Sequence, residues 1–219
     1  MKVNFVSDWE ILTGKENMEK DLSMLDFAIK NSSNDLFIRF YGWMPKCISL
    51  GRNQKDFDFN TKVDVVRRPT GGRALLHDNE ITYCVVGKIK DNQSVIETYK
   101  MISTVLINGF KKLGIELNYA GEKGGNQKYC MNISSGADIC YKGKKFIGSA
   151  QFRKEGYFLQ HGAILKDVDY EFLKNIFNEE IEKEKIITLK EINPNLDDKT
   201  IIKALKKAFL DFEQEMDLK

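Results

Sequence analysis

Residues 67–78 read Arg-Arg-Pro-Thr-Gly-Gly-Arg-Ala-Leu-Leu-His-Asp, and no stretch of the chain restricts the fold more. Pro69 and the pair Gly71–Gly72 interrupt any regular element, so a loop is forced there. Short runs that read as extended segments flank it, residues 63–67 before and residues 74–76 and 81–86 after. Two glycines at a strand exit allow close backbone approach to a ligand and leave amides free for an anion. Arg67, Arg68 and Arg73 lie within seven residues, enough positive charge to meet a phosphate or carboxylate. The plainer alternative is a glycine turn between solvated arginines. The full string, ending in His77–Asp78, argues against that alternative.

The rest of the chain supplies alternating strands and helices. Residues 36–41, aromatic and β-branched, predict a strand, and residues 47–50 a second one stopped by Gly51. A helix is expected over residues 18–30, with Leu22, Leu25, Ala28 and Ile29 on one face. Ser94 and Glu97 form a capping box before a helix that places Tyr99, Ile102, Leu106, Phe110 and Leu113 together and stops at Gly114. Residues 115–128 read as a flexible connection. Residues 139–141 and 146–147 flank Lys142-Gly143-Lys144, a hairpin signal, and residues 158–165 predict one more strand. After Pro194 a last helix carries Ile201, Leu205, Phe209, Phe212 and Met216 in one stripe. The expected organisation is a main unit over residues 1–168 and a short helical appendage, residues 169–219, packed on it.

Composition removes several classes of function. Of 219 residues, 34 are basic and 32 acidic, a net charge of +2, so bulk charge does not point to nucleic acid. Hydrophobic residues at 42% and charged residues at 30% fall in the globular range. No apolar run approaches the roughly 18 residues of a membrane span, and residues 1–8 lack the apolar core of a signal peptide. A cytoplasmic protein that engages neither membrane nor nucleic acid is the expectation. Cys47, Cys84, Cys130 and Cys140 are spaced irregularly, and His77 and His161 are the only histidines, so no metal site is expected. Cys47, Cys84 and Cys140 sit in apolar or strand-like surroundings and read as structural.

The string at 67–78 resembles the signature of the lipoate–protein ligase and octanoyltransferase family, related to biotin–protein ligases. Further strings carry the same resemblance: Arg39-Phe40-Tyr41-Gly42-Trp43 with Ser49-Leu50-Gly51, Lys144-Lys145-Phe146-Ile147-Gly148-Ser149-Ala150-Gln151, Gln160-His161-Gly162-Ala163-Ile164-Leu165, and Thr188-Leu189-Lys190-Glu191-Ile192. The resemblance implies an α+β fold: a mixed, mainly antiparallel sheet flanked by helices, as in biotin ligases and class II synthetases. It implies one of two activities. Ligases join free acid to ATP, with Mg, through an acyl-adenylate. The cysteine-dependent transferases instead take octanoyl or lipoyl from acyl carrier protein, through an enzyme thioester, to a lysine of a lipoyl-domain protein such as a glycine-cleavage H-like protein or a 2-oxoacid dehydrogenase subunit. A third reading, a module that binds an acyl group without turnover, stands beside them.

Cys130 and Lys145 decide for the transferase, with no cofactor. Cys130 matches the family nucleophile, and Lys145 the lysine that lowers its pKa. A free thiol is only ~3% thiolate at pH 7, and a depression of two pH units raises that to roughly 75%. Arg73 stands where the ligases carry a third glycine, which favours the same choice. On this resemblance Arg68, Thr70, Gly71, Gly72, Leu75, His77, Gly148, Ser149 and Ala150 bind substrate. Arg68 and Thr70 lie at its head-group end, backbone amides near Gly148 and Ser149 face the oxyanion, and Leu75, Leu76 and Phe146 line an acyl tunnel. His77 is assigned to positioning the acyl carbonyl or relaying a proton, and His161 to anchoring the sheet.

Overall fold

The computed structural model describes residues 1–56, 59, 62–90, 92–120 and 138–218. Two sheets build it. The larger takes strands β1 (Val3–Phe5), β2 (Glu10–Leu12), β3 (Leu36–Trp43), β7 (Glu80–Lys88), β8 (Asn118–Tyr119), β9 (Ile139–Tyr141), β10 (Lys144–Lys154) and β11 (Tyr157–Leu165), and the smaller β4 (Cys47–Leu50), β5 (Asp64–Arg67) and β6 (Leu75–His77). In the large sheet the order is β1-β3-β7-β11-β10-β9-β8, with β2 also on β3. Only the β1 and β2 pairings with β3 are parallel; those from β3 through β8 are antiparallel. The small sheet, ordered β5-β4-β6, has one parallel and one antiparallel pairing. The expected mixed, mainly antiparallel sheet is therefore what the chain forms.

Helices cover both faces of the large sheet. Helix α1 (Gly14–Lys30) opens on Thr13 and Glu16, and α2 (Val95–Lys111) on Ser94 and Glu97, each a reciprocal capping box that satisfies two orphan amides. On one face α2 and α5 (Asp198–Asp217) enclose a core of Ile38, Phe40, Tyr83, Phe110, Phe146, Leu205 and Phe209. Each large apolar side chain buried there contributes about 1.5–3 kcal/mol. On the other face α1 packs over Tyr41, Trp43, Cys84, Val86 and Leu159. The small sheet packs on α3 (Tyr170–Phe177) through Ile48, Leu50, Leu76, Leu173 and Phe177. The short helix α4 (Leu189–Ile192) precedes α5, and Ile186 bridges to Lys145 beside it.

Two local expectations are corrected. Helix α1 begins four residues before the expected position 18, and its inward face keeps Leu25, Ala28 and Ile29 of the expected stripe but replaces Leu22 with polar residues. Leu22 is 37% exposed, whereas Asn17 and Asp21 are fully buried. Their polar groups find partners inside, which an apolar-periodicity count does not register. The stretch after Gly114 is not simply a flexible connection: Ile115 and Leu117 join the main core, and β8 pairs with β9. Residues 121–128 lie outside the described residues.

Candidate active site

A narrow cavity, about 40 Å³, opens between the two sheets beneath α1. Tyr41, Trp43, Thr82, Gly148, Ala150 and Ala163 contribute from the large sheet, Ser49, Leu75 and His77 from the small one, and Met18 from α1. Its wall is mostly apolar, and Gly148, Ala150, Gly162 and Ala163 withhold side-chain volume where β10 and β11 pass. Of the residues assigned to substrate from sequence, Arg68, Leu75, His77, Gly148, Ser149 and Ala150 border this cavity. Thr70 is fully buried just behind His161. Gly71 and Gly72 sit on the exposed rim of the loop. Leu76 packs toward α3, and Phe146 stacks edge-on against Phe110 in the opposite core, so neither lines the tunnel expected for them.

Two hydroxyl–imidazole–carboxylate lines converge on the cavity. In the first, Ser49 Oγ lies 2.7 Å from His77 Nε2, and His77 Nδ1 lies 2.6 Å from Glu80 Oε1. Thr82 donates to the same Glu80 oxygen at 2.6 Å and accepts from Trp43 Nε1 at 2.8 Å. Trp43 also stacks on His77, with ring centroids 3.8 Å apart. In the second, Thr70 Oγ1 lies 2.7 Å from His161 Nε2, and His161 Nδ1 lies 3.0 Å from Asp21 Oδ2. Asp21 also accepts from Arg39 Nη1 at 3.1 Å and from the Tyr41 hydroxyl at 2.9 Å. A carboxylate on Nδ1 fixes each imidazole in the tautomer that presents its Nε2 lone pair to a hydroxyl.

Burial holds His161 below the ordinary histidine pKa of 6.5, outweighing the pull of Asp21. Below that pH the unfolded chain binds a proton that folded His161 resists, so stability from this group is complete above pH 6.5 and lost as the pH falls toward the folded pKa. His161→Gln is expected to remove this component. Urea-unfolding midpoints of the two proteins, measured as a function of pH, should draw together as acid is added; a constant gap would contradict the assignment.

Arg68 braces the glycine loop. Its guanidinium donates to the Ser49 carbonyl at 2.9 Å, to Ser49 Oγ at 3.0 Å, to the Gly71 carbonyl at 2.8 Å and to the Arg73 carbonyl at 2.7 Å. The close approach here requires glycine: a Cβ on Gly51 would stand 1.9 Å from the Gly72 carbonyl oxygen, and Gly72 itself has φ +91°. The structure thus gives Arg68 an architectural task beside its place on the cavity wall.

Lys145 is 4% exposed, and its ammonium lies 2.8 Å from Asp138 Oδ2. It enters from β10, directly opposite Cys140 on β9. Cys130 lies outside the described residues. Burial raises the thiol pKa of Cys140, drives Cys84 well above the ordinary value and takes Cys47 to about 12, so all three are poor nucleophiles at neutral pH. Among the described residues no cluster of three or more His, Cys, Asp or Glu side chains is arranged to hold a metal, and no helix is long and apolar enough to cross a membrane.

Sequence reasoning assigned no role to Asn17, Asp21, Arg39, Ser49, Glu80 or Thr82, all buried and polar. Arg39 inside an aromatic strand and Asp21 on the inner side of α1 were the available signals, since such groups stay buried only when paired.

Residues 14–210 match the lipoyl protein ligase A/B catalytic domain, and the chain belongs to that family. It is 42% identical over 188 residues to a protein named octanoyltransferase LipM from Carboxydothermus hydrogenoformans, covering 80% of this chain and 70% of the relative. A protein of the same name from Macrococcus caseolyticus is 34% identical over 93% of this chain and 83% of its own. Among solved structures, lipoate-protein ligase A bound with ATP superposes with a TM-score of 0.77 at 20% identity, over 96% of this chain and 85% of the other. That last likeness is one of fold.

Proposed function

We infer that this chain is an octanoyltransferase, which moves an octanoyl group onto a lysine side chain of a lipoyl-domain protein. The observation that carries the reading is the 42% identity, over 80% of the chain, with a relative named for that activity. The apolar wall of the cavity, with its small residues Gly148, Ala150, Gly162 and Ala163, supports it, because each acyl methylene buried against it is worth about 0.8 kcal/mol.

The donor in this proposal is the thioester of acyl carrier protein, and the reaction runs in the cytoplasm without nucleotide or metal. The Cys130 thiolate attacks the thioester carbonyl, and the carrier thiol leaves. The acceptor amine, deprotonated, then attacks the enzyme thioester, forms the amide and regenerates Cys130. Exchange of one thioester for another is nearly isoenergetic, so the first step needs no activation by ATP. Lys145 favours the thiolate, and amides near Gly148 and Ser149 meet the oxyanion of each tetrahedral intermediate. Residues 1–168 supply this chemistry and residues 169–219 support it as an appendage.

Intact-protein mass spectrometry tests the proposal. Incubation with octanoyl-carrier protein and no nucleotide is expected to add one octanoyl group, lost in Cys130→Ala. Pyrophosphate release from ATP and free octanoate or lipoate, unchanged in Cys130→Ala, would establish the ligase instead.

A further inference from the structure

In the line Ser49–His77–Glu80, Ser49 and Glu80 have no part in the cysteine route, yet Ser49 and His77 both border the acyl cavity. Its geometry is that of an activated hydroxyl. Glu80 Oε1 accepts from both His77 Nδ1 and Thr82 Oγ1, each at 2.6 Å, which leaves His77 Nε2 as an acceptor. Arg68 Nη1 donates to Ser49 Oγ at 3.0 Å, which occupies one lone pair and directs the Ser49 proton to Nε2, 2.7 Å away. The remaining lone pair is the one an acyl carbon would meet. The stacked Trp43 ring locks the plane of the imidazole. The three groups therefore stand in the roles of nucleophile, base and orienting carboxylate, an arrangement recognised by geometry and not by fold.

The companion line differs in the feature that matters. Thr70 does not border the cavity, and Asp21 is shared with Arg39 and Tyr41. Ser49 is fully buried, so its hydroxyl is reached through the cavity, whose mostly apolar wall favours an apolar acyl group.

We propose that Ser49, His77 and Glu80 form a second acyl-accepting centre that hydrolyses medium-chain acyl thioesters and activated esters. Ser49 Oγ bonds to the acyl carbon as its proton passes to His77 Nε2. The carbon–sulfur or carbon–oxygen bond of the donor breaks, and the leaving group departs with that proton. Water then gives a proton to His77 and adds its oxygen to the acyl carbon. The Ser49 ester bond breaks, Ser49 recovers the proton, and the carboxylic acid is released.

The test uses full-length Cys130→Ala, so that failure of the transferase reading cannot imitate failure of this one. With p-nitrophenyl octanoate, this variant is expected to release p-nitrophenol. Adding Ser49→Ala or Glu80→Gln should lower the rate by about tenfold or more, while thermal unfolding shows that each variant folds. Treatment with an octyl fluorophosphonate should attach one phosphonyl group, mapped by peptide mass spectrometry to Ser49. This labelling needs no second substitution, so it stands even if Ser49→Ala does not fold. Label on another residue, no label, or hydrolysis equal in Cys130→Ala and the folded Ser49→Ala double variant would overturn the proposal.

Discussion

Asp21→Ala is expected to destabilise the protein by about 3–5 kcal/mol, the cost of removing one partner from a buried ion pair. The Asp21 and Arg39 side chains are both fully buried, 3.1 Å apart. Alanine leaves Arg39 with Asn17, whose carbonyl and side-chain oxygens accept at 3.1 and 2.7 Å, and with Glu10 at the edge of the pair. It also strips the Tyr41 hydroxyl and His161 Nδ1 of their acceptor. For a chain of this size each kcal/mol lowers Tm by roughly 2–4 °C, so calorimetry should show a fall of about 6–20 °C. A fall below about 2 °C would mean that water or a neighbouring group takes over the role of Asp21. Arg39→Met together with Asp21→Leu should recover only the part due to the uncompensated Arg39 charge, because Tyr41 and His161 still lack their acceptor and Asn17 loses its donor.

Lys145→Met should reduce the rate of enzyme acylation at pH 7 by at least about 25-fold, the change in thiolate fraction for a two-unit shift in thiol pKa. Loss of oxyanion stabilisation adds to this, up to about 10²–10³-fold. The ionisation component has a distinguishing sign: raising the pH to about 9.5 ionises the thiol directly and should restore that part of the rate. Asp138, 3% exposed at its side chain, loses this cation in the variant, so stability falls as well. Lys145→Met with Asp138→Asn removes both charges and separates the two effects. Acylation by an octanoyl thioester, measured by rapid-quench mass spectrometry at both pH values, reads them. Equal rates for wild type and the double variant at pH 7 would remove Lys145 from the reaction.

Many elements were legible in sequence where local physics sets them, although the Thr13–Glu16 box that starts α1 was passed over. The Ser94–Glu97 box starts α2, the Lys142-Gly143-Lys144 turn joins β9 to β10, and the stripe Ile201, Leu205 and Phe209 is the buried side of α5. The inner face of α1 was not legible, because Asn17 and Asp21 become interior only once β3 brings Arg39 and Tyr41 beneath them. The site divides in the same manner. Arg68, Leu75 and His77 fall in a recognisable string, whereas Glu80 and Ser49 became site residues only through the pairing of β4 with β6 and the turn into β7.

Near neighbours along the chain set the loop at residues 67–78, the start of α2 and the main strand-forming runs, and those same strings carry the family. The tertiary structure decided which polar groups meet: Asp21 with His161, Ser49 with His77, Lys145 with Asp138. Those partners are drawn from strands and helices far apart in sequence, and a buried charge or imidazole takes its protonation and its role from the groups that packing places around it.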